Sequence, residues 1–304
     1  MELPPVEPEA FRNWQGDSRR LDAMQIVFIV GPRRSGTTWL QRSLAGHRRV
    51  VTGGECGLCH FMLPGLEAAF RRHNDHHRAH STPPTVYPEA DFVMILRQIY
   101  DRLLLRYVAD GARDQDQRPL AVVDKTPGNA QHIDLLAAVY PQAKFICCDR
   151  DVRDGAVSGW YFFNSGGRST RERTIEEYAF FYARGLYRPY IMYARAGAAR
   201  LDASRYTELA YEDHKADPSG QIRRILRFIG VPSSDDDGRM CVEAGSFRRM
   251  SGGRDAGEED PDSPVRKGVV GDWRNRFSEE FGERLLQISR APLDALVPEF
   301  TASG

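Results

Sequence analysis

Residues 26–39, IVFIVGPRRSGTTW, constrain the fold more than any other stretch of the chain. Five successive apolar residues, 26–30, predict a strand buried on both faces, and a Gly-Pro pair ends it. A helix is predicted to begin at Thr37, directly after a second glycine. Because the N–H groups of the turn and the positive end of the helix converge, the sequence predicts a phosphate-binding site here.

This turn nearly matches the nucleotide-binding pattern GxxxxGK[ST], but it lacks the lysine. Gly31 and Gly36 occupy the glycine positions, and Thr37 stands where the lysine belongs. The basic residues of the turn, Arg33 and Arg34, come earlier in the chain. The departure argues against an ATPase or an ordinary kinase.

Length and composition favour an enzyme of the cytoplasm. The chain has 304 residues, 41% of them hydrophobic, which is enough for one large α/β domain or two smaller ones, and no linker clearly divides it. The formal net charge is zero, so any anion site must be local, and we expect no nucleic-acid partner. The polar N-terminus lacks the apolar core of a signal peptide, and no stretch is long and apolar enough to span a membrane.

Cysteines and histidines raise the question of a metal, and we expect none. Five cysteines, an odd number in a chain without an export signal, predict free thiols. Residues 56–60, CGLCH, match the attachment pattern of c-type haem, which forms outside the cytoplasm, and a zinc site would need a second CxxC pair. Four histidines in residues 73–80 would hold a metal only if helical, and we predict a solvated loop over residues 70–90.

Strands and helices alternate along the rest of the chain. Further strands are predicted over residues 49–52, 120–123, 143–148 and 206–211, with helical stripes between them. The alternation predicts an α/β fold, a single P-loop-type domain over residues 25–304 with a central parallel sheet flanked by helices, after an N-terminal extension, 1–24. Ligands of such folds bind at the carboxyl ends of strands, where Glu55, Lys125 and Arg150 are expected.

Three separated segments resemble the cytosolic branch of the sulfotransferases that use 3′-phosphoadenosine 5′-phosphosulfate (PAPS). They are GPRRSGTTW at 31–39, DRDVRDGAVS at 149–158 and RKGVVGDWRN at 266–275, in the order found in that family. The resemblance implies PAPS as donor, adenosine 3′,5′-bisphosphate (PAP) as product, and no metal. A sulfuryl group carries less charge than a phosphoryl group, so arginine and backbone donors can stabilise its transfer.

The resemblance also implies which residues bind the donor. The 5′-phosphosulfate would lie against the turn and the helix start, at Arg33, Arg34, Ser35, Gly36, Thr37 and Thr38. The 3′-phosphate would be bound by two segments, through Arg150, Ser158, Arg266, Lys267 and Gly268, since bidentate guanidinium groups suit a dianion. Aromatic residues fall where the family contacts adenine, at Trp39, Tyr211 and Phe247.

Structural alternatives remain open for these residues. Trp39 could be an ordinary core residue, and Tyr211 a strand-end tyrosine. Arg150 could form a surface ion pair with Asp151 or Asp154.

The acceptor side departs from the cytosolic pattern. In that branch the lysine after the third predicted strand is followed two residues later by a catalytic histidine, but here proline stands at that position. The tyrosylprotein sulfotransferases and their bacterial relatives look closer, and by that resemblance the catalytic residues are Arg34, Glu55 and Lys125. Glu55 is the expected base, with Asp124 and His60 as alternatives, or it is a structural loop residue.

These patterns predict transfer of a sulfuryl group from PAPS to a hydroxyl, less readily an amine, of a small-molecule, carbohydrate or lipid-linked acceptor. The alternatives are a P-loop phosphotransferase using ATP and a non-catalytic nucleotide-binding protein. Residues 60–115 and 160–205 are expected to line the acceptor pocket. Residues 251–270 are expected to form a flexible lid that closes on the donor. The oligomeric state stays open.

Overall fold

A parallel sheet forms the centre of the computed structural model, which describes residues 16, 18–80, 85–111, 118–164 and 174–291. Within those residues five strands pair in the order β2-β3-β1-β4-β5, and each neighbouring pair is parallel. The predicted central parallel sheet is therefore confirmed. The strands are β1 (Gln25–Val30), β2 (Val50–Thr52), β3 (Ala121–Lys125), β4 (Lys144–Asp149) and β5 (Tyr206–Ala210).

Helices connect the strands and cover the sheet. In the described residues they are α1 (Thr37–Leu44), α2 (Leu58–Phe61), α3 (Leu63–His80), α4 (Glu89–Gly111), α5 (Ile133–Val139), α6 (Val152–Asn164), α7 (Ile175–Phe181), α8 (Arg188–Ala198), α9 (Tyr211–Ala216), α10 (Pro218–Ile229), α11 (Asp235–Ala244), α12 (Phe247–Met250) and α13 (Glu279–Arg290). A π-helical segment, Tyr182–Tyr187, joins α7 to α8.

Alternate side chains of β1 enter two separate hydrophobic clusters. Phe28 lies in one cluster with Leu104 of α4, whereas Ile29 lies in the other with Leu40 of α1 and Ile225 of α10. All of these side chains are buried. A strand with both faces covered needs apolar residues at consecutive positions, which is why residues 26–30 form an unbroken apolar run.

The predicted solvated loop over residues 70–90 is wrong for its first part, because residues 70–80 belong to α3. The helix has few apolar positions, and tertiary contacts compensate. The buried Asn74 side chain both accepts from the N–H of Tyr87 and donates to its carbonyl. Residues 81–84 of the predicted loop lie outside the described residues.

The four histidines of the sequence cluster all lie on α3, two of them exposed and two half-buried. Among the described residues, no group of three or more His, Cys, Asp or Glu side chains is placed to hold a metal ion. In the described part of the chain, no helix is both long enough and apolar enough to cross a membrane. The cytoplasmic location stays a prediction.

The turn at residues 31–36 follows β1, where the strand order of the sheet reverses. β1 pairs with β3 on one side and with β4 on the other, and the turn after β1 leads into α1. Such switch points leave a crevice at the carboxyl ends of the strands. The loops after β1, β2, β3 and β4 all reach this edge, so the topology brings the predicted site residues together.

Candidate active site

The turn after β1 ends in a glycine-capped helix N-terminus. Gly36 precedes α1 with φ of +93°, and a Cβ there would lie 2.9 Å from the ring of Tyr211, so glycine is required on both counts. The carbonyl of Gly36 accepts from Leu40. Having no side chain, Gly36 cannot cap the N–H groups of the first turn, so these donors can bind an anion.

Arg34 extends from this turn towards residues that lie far away in the sequence. Its Nε donates to the Ser158 hydroxyl at 3.2 Å and its Nη2 to the Pro264 carbonyl at 2.6 Å. Its guanidinium lies 4.5 Å from the centre of the Phe162 ring. Burial, together with the charge of Arg150, lowers the pKa of Arg34 to about 10, so the guanidinium stays charged at neutral pH. Its positive φ of 71° marks a strained backbone.

Two other residues of the turn have structural contacts. The hydroxyl of buried Ser35 donates to the Pro32 carbonyl at 2.7 Å. The side chain of Arg33 is exposed, and its carbonyl accepts from the Tyr182 hydroxyl at 2.7 Å. These contacts shape the turn, and neither residue lines the cavity described below.

Arg150 follows β4 and links three segments of the site. It donates to the carbonyl of Arg34 at 3.4 Å and to that of Val269 at 3.1 Å, and lies 4.2 Å from the centre of the Tyr211 ring. Asp154, one helical turn later, lies 3.9 Å from the guanidinium. The ion pair considered from the sequence therefore forms with Asp154, but it is buried rather than on the surface.

Residues 251–270, the predicted lid, contain neither long helix nor strand, yet they are hydrogen-bonded internally. Gly257 donates to the carbonyl of Lys267 at 2.9 Å and Asp260 to that of Arg266 at 3.0 Å. The guanidinium of Arg254 donates to three carbonyls of the segment. The composition suggests disorder, but these contacts give the segment a defined path.

Arg266 and Lys267 are held by two carboxylates. Arg266 forms ion pairs with Glu259 and Asp272, and Lys267 Nζ lies 2.7 Å from Asp272. Burial alone would raise the pKa of Asp272, but the bonds from Lys267 and Arg266 outweigh it and hold that pKa well below its usual range. The two cations are thus positioned without a ligand.

Aromatic side chains line the other side of the site. Trp39 packs against His214 with 3.6 Å between ring centres and against Tyr211 at 5.0 Å. Burial, with a smaller effect of Lys215, lowers the pKa of His214 to about 4. The Phe247 ring covers Gly268, where a Cβ would come within 2.2 Å of it.

One cavity of about 810 Å³ joins these groups. Arg150 and Arg266 both line this cavity, and guanidinium groups suit a phosphate-bearing ligand. The Nε atoms of the two residues are buried and have no hydrogen-bond partner among the described residues. Most predicted donor residues line it, together with the predicted base: Arg34, Gly36, Thr37, Thr38, Trp39, Glu55, Arg150, Ser158, Tyr211, Phe247, Arg266, Lys267 and Gly268.

Glu55 and Lys125 form an ion pair at the edge of the cavity. Nζ of Lys125 lies 2.6 Å from Oε1 of Glu55. The lysine side chain is 7% exposed and the glutamate 50%, so the carboxylate is open to a ligand and the ammonium is enclosed. Lys125 itself lies outside the cavity lining and reaches the site through Glu55.

The two alternative bases lie elsewhere. Asp124 is fully buried and accepts from Cys56, Thr126 and Asn129, and burial raises its pKa. His60 is exposed on α2 with its ring against Phe61. Neither lines the cavity, so the geometry favours Glu55.

The thiols of the CGLCH segment have protein partners. Cys56 Sγ donates to Asp124 at 3.1 Å, and Cys59 Sγ lies 3.2 Å from the Tyr100 hydroxyl. Burial raises the pKa of Cys59 to about 11. All five cysteines are free, as predicted.

Several residues of the site were not predicted from the sequence. Asp154 was considered only as an ion-pair partner of Arg150, but it also accepts from the N–H groups of Gly271 and Trp273, at 2.6 and 2.9 Å. Phe162, Tyr182 and His214 carry no sequence signal, because each makes its contact with a distant segment. Glu259 and Asp272 lie within seven residues of Arg266, which pairs with both, and their role as counter-charges was not predicted although Asp272 belongs to the motif at 266–275.

A model of the sulfotransferase family matches residues 26–236. Sulfotransferase 2A1 of Rattus norvegicus is 28% identical over 153 residues, which cover 45% of this chain and 52% of the rat protein. The 3-alpha-hydroxysteroid sulfotransferase of Cavia porcellus is 25% identical over 147 residues, 45% of this chain and 51% of that protein. The matches thus span about half the length of these curated relatives.

Solved structures share the fold. A mouse sulfotransferase, SULT7A1, complexed with PAP, superimposes with a TM-score of 0.53 at 16% identity, over 87% of this chain and 82% of the other. Retinol dehydratase in complex with androsterone and the inactive cofactor PAP gives 0.51 at 21% identity, over 94% and 88%. At these identities the likeness concerns the fold alone.

Proposed function

The chain belongs to the sulfotransferase family, and from this we propose that it transfers the sulfuryl group of PAPS to a hydroxyl group of a small-molecule, carbohydrate or lipid-linked acceptor. The observation that carries the proposal is the single cavity that joins a bare helix N-terminus, cations from two distant segments and one accessible carboxylate. This arrangement suits a doubly phosphorylated donor at one end and an acceptor hydroxyl at the other.

The donor would be held at three places. The N–H groups at the start of α1 and the guanidinium of Arg34 would bind its 5′-phosphosulfate. The 3′-phosphate would be held by Arg150, Ser158 and residues 266–268, since guanidinium groups suit a dianion. Trp39, Tyr211 and Phe247 would contact the adenine ring.

Glu55 would act as the base and Lys125 as the cation beside it. In an in-line displacement the acceptor oxygen forms a bond to sulfur while the bond from sulfur to the 5′-phosphate oxygen breaks, and Glu55 takes the hydroxyl proton. Oε2 of Glu55 accepts from no described residue, so it is open to that hydroxyl. The enclosed ammonium of Lys125 would stabilise negative charge on the sulfuryl oxygens or the leaving phosphate.

Two measurements test the proposal. Calorimetry should show PAP binding in the presence of EDTA, and an acceptor panel incubated with labelled PAPS should yield a sulfated product. Binding of ATP in preference to PAP would instead support a phosphotransferase. PAP binding without transfer to any hydroxyl or amine acceptor in the panel would support a non-catalytic nucleotide-binding protein.

A further inference from the structure

Glu55 lies in the short loop between β2 and α2. The first residue of this loop, Gly53, donates its N–H to the carbonyl of Val123 at 3.0 Å, so the pairing of β2 with β3 continues into the loop. The next two residues, Gly54 and Glu55, are exposed. The sheet therefore fixes the beginning of the loop, and something else must fix its end.

The end of the loop is fixed by a buried carboxylate, that of Asp124. Its Oδ2 accepts from the Cys56 thiol at 3.1 Å and its Oδ1 accepts from the Thr126 hydroxyl at 2.8 Å. The oxygen of the same Thr126 hydroxyl accepts from the N–H of Cys56 at 3.1 Å. Cys56 directly follows Glu55, and Asp124 and Thr126 directly flank Lys125. These hydrogen bonds therefore connect the backbone segment that carries Glu55 to the segment that carries Lys125.

The bonding pattern requires a carboxylate at position 124. A third donor, Nδ2 of Asn129, reaches Oδ2 at 3.2 Å, so both oxygens of Asp124 accept. An asparagine there would turn an NH₂ group towards at least one of the three donors, because an amide has one accepting oxygen. The side chain of Asp124 is inaccessible to solvent and lies outside the cavity lining, so it contacts neither donor nor acceptor.

We infer that Asp124 is a positioning residue, which holds Glu55 against Lys125 by binding Cys56. The inference rests on the proposed function, because positioning Glu55 matters for turnover only if Glu55 is the base. A catalytic group misplaced by about 1 Å can cost about 10²-fold in rate. The hydrogen bond between Asp124 and Cys56, called the tie below, therefore affects turnover although Asp124 does not touch the substrate.

Amide hydrogen exchange tests the tie without any substrate. In Asp124→Asn, exchange of the Cys56 amide, which donates to the Thr126 hydroxyl, should be faster than in the wild type by about tenfold or more, because a buried hydrogen-bond network is broken. Wild-type exchange of this amide in Asp124→Asn would overturn the inference.

Asp101→Asn is the matched control for that experiment. Asp101 is also a buried carboxylate with three donors, Ser18, Arg97 and Tyr140, but it lies on α4, and Tyr140 precedes the amino end of β4. This substitution should lower the melting temperature and leave exchange of the Cys56 amide unchanged. Equal acceleration in both variants would mean that general destabilisation, rather than the tie, loosens the loop, and would also overturn the inference.

Two substitutions at Cys56 test the effect on turnover. They also test the inference if Asp124→Asn does not fold. Cys56→Ala removes the donor to Asp124 and should lower kcat about tenfold with unchanged affinity for PAP. Cys56→Ser restores a donor and should recover most of the loss. If the serine variant is as slow as the alanine variant, the bond from residue 56 does not position Glu55 and the inference fails.

Failure of the inference can be told from failure of the proposed function. Normal turnover in Glu55→Gln would contradict the base assignment, and the exchange measurement would still decide whether Asp124 holds the loop. Lost turnover in Glu55→Gln with wild-type exchange in Asp124→Asn would leave the proposed function standing and refute the positioning role.

Discussion

The donor side and the acceptor side of the cavity are built differently. On the proposed donor side the cations have several protein contacts each: Arg150, for example, bonds to residues 34 and 269 and lies beside Asp154. On the proposed acceptor side, one ion pair between a half-exposed glutamate and an enclosed lysine would supply the chemistry. Under the proposed function, the donor side is held in place by many contacts before the donor binds, whereas the acceptor side depends on the position of one short loop.

The largest effect is expected from Glu55→Gln, which tests the acceptor side alone. The substitution keeps the shape but removes the base, so kcat should fall about 10²- to 10⁴-fold while the affinity for PAP stays unchanged. Steady-state kinetics and calorimetry on the same preparation would measure both quantities. Near wild-type turnover would transfer the role to another group and make Glu55 structural.

Lys125→Ala is the companion to that variant. It should also lower kcat, because the ammonium stabilises developing charge, but it leaves a base in place. Its pH profile of kcat should therefore keep the acidic limb that Glu55→Gln lacks. Matching profiles for the two variants would contradict the separate roles.

Arg150→Ala tests the redundancy of the donor side. Truncating one member of a buried charged hydrogen-bond set costs about 2 to 5 kcal/mol, so the dissociation constant for PAP should rise by at least about 30-fold. Calorimetry without added metal would measure it. Unchanged affinity would contradict the assignment of Arg150 to the 3′-phosphate site.

The lid prediction concerns a smaller effect on the same side. Residues 251–270 carry Arg266 and Lys267 and already follow a defined path, and we expect the segment to close on the donor. Hydrogen exchange across these residues should slow on adding PAP, while exchange at residues 53–57 should change less. Equal exchange of residues 251–270 with and without PAP would contradict closure.

The smallest effect is a pH dependence of stability that arises from His214 beside Trp39. Burial lowers the pKa of this histidine from 6.5 to about 4 in the folded chain. At pH values between about 4 and 6.5 the histidine binds a proton in the unfolded chain but not in the folded chain. The free energy of unfolding should therefore fall as the pH falls through this range. The wild type should lose up to about 1.4 kcal/mol per pH unit relative to His214→Gln.

Urea unfolding of both proteins at pH 7 and pH 5 would measure that difference. Other histidines contribute equally to both proteins and cancel. A stability difference that does not vary with pH would contradict the assignment.

The sequence predicts the parts of the fold and site that depend on local pattern. The apolar run before the turn predicts β1, and the stripe at Ile222, Ile225, Leu226 and Ile229 predicts α10, which Gly230 ends in a left-handed conformation. Residues 70–80 were mispredicted because α3 has a weak apolar stripe, and a contact such as that of Asn74 with Tyr87 is not visible in a local window.

The sequence by itself determines the strand, turn and helix of the proposed anion site, because spacing and residue type suffice for a local structure. It also identifies the cations and the Glu55 and Lys125 pair through motifs with fixed neighbours. Only the tertiary structure decides which distant groups meet: Asp124 with Cys56, Arg34 with Pro264, and Arg150 with Val269. Such contacts arise where separate strands and loops converge at one edge of the sheet, and no sequence spacing encodes that distance.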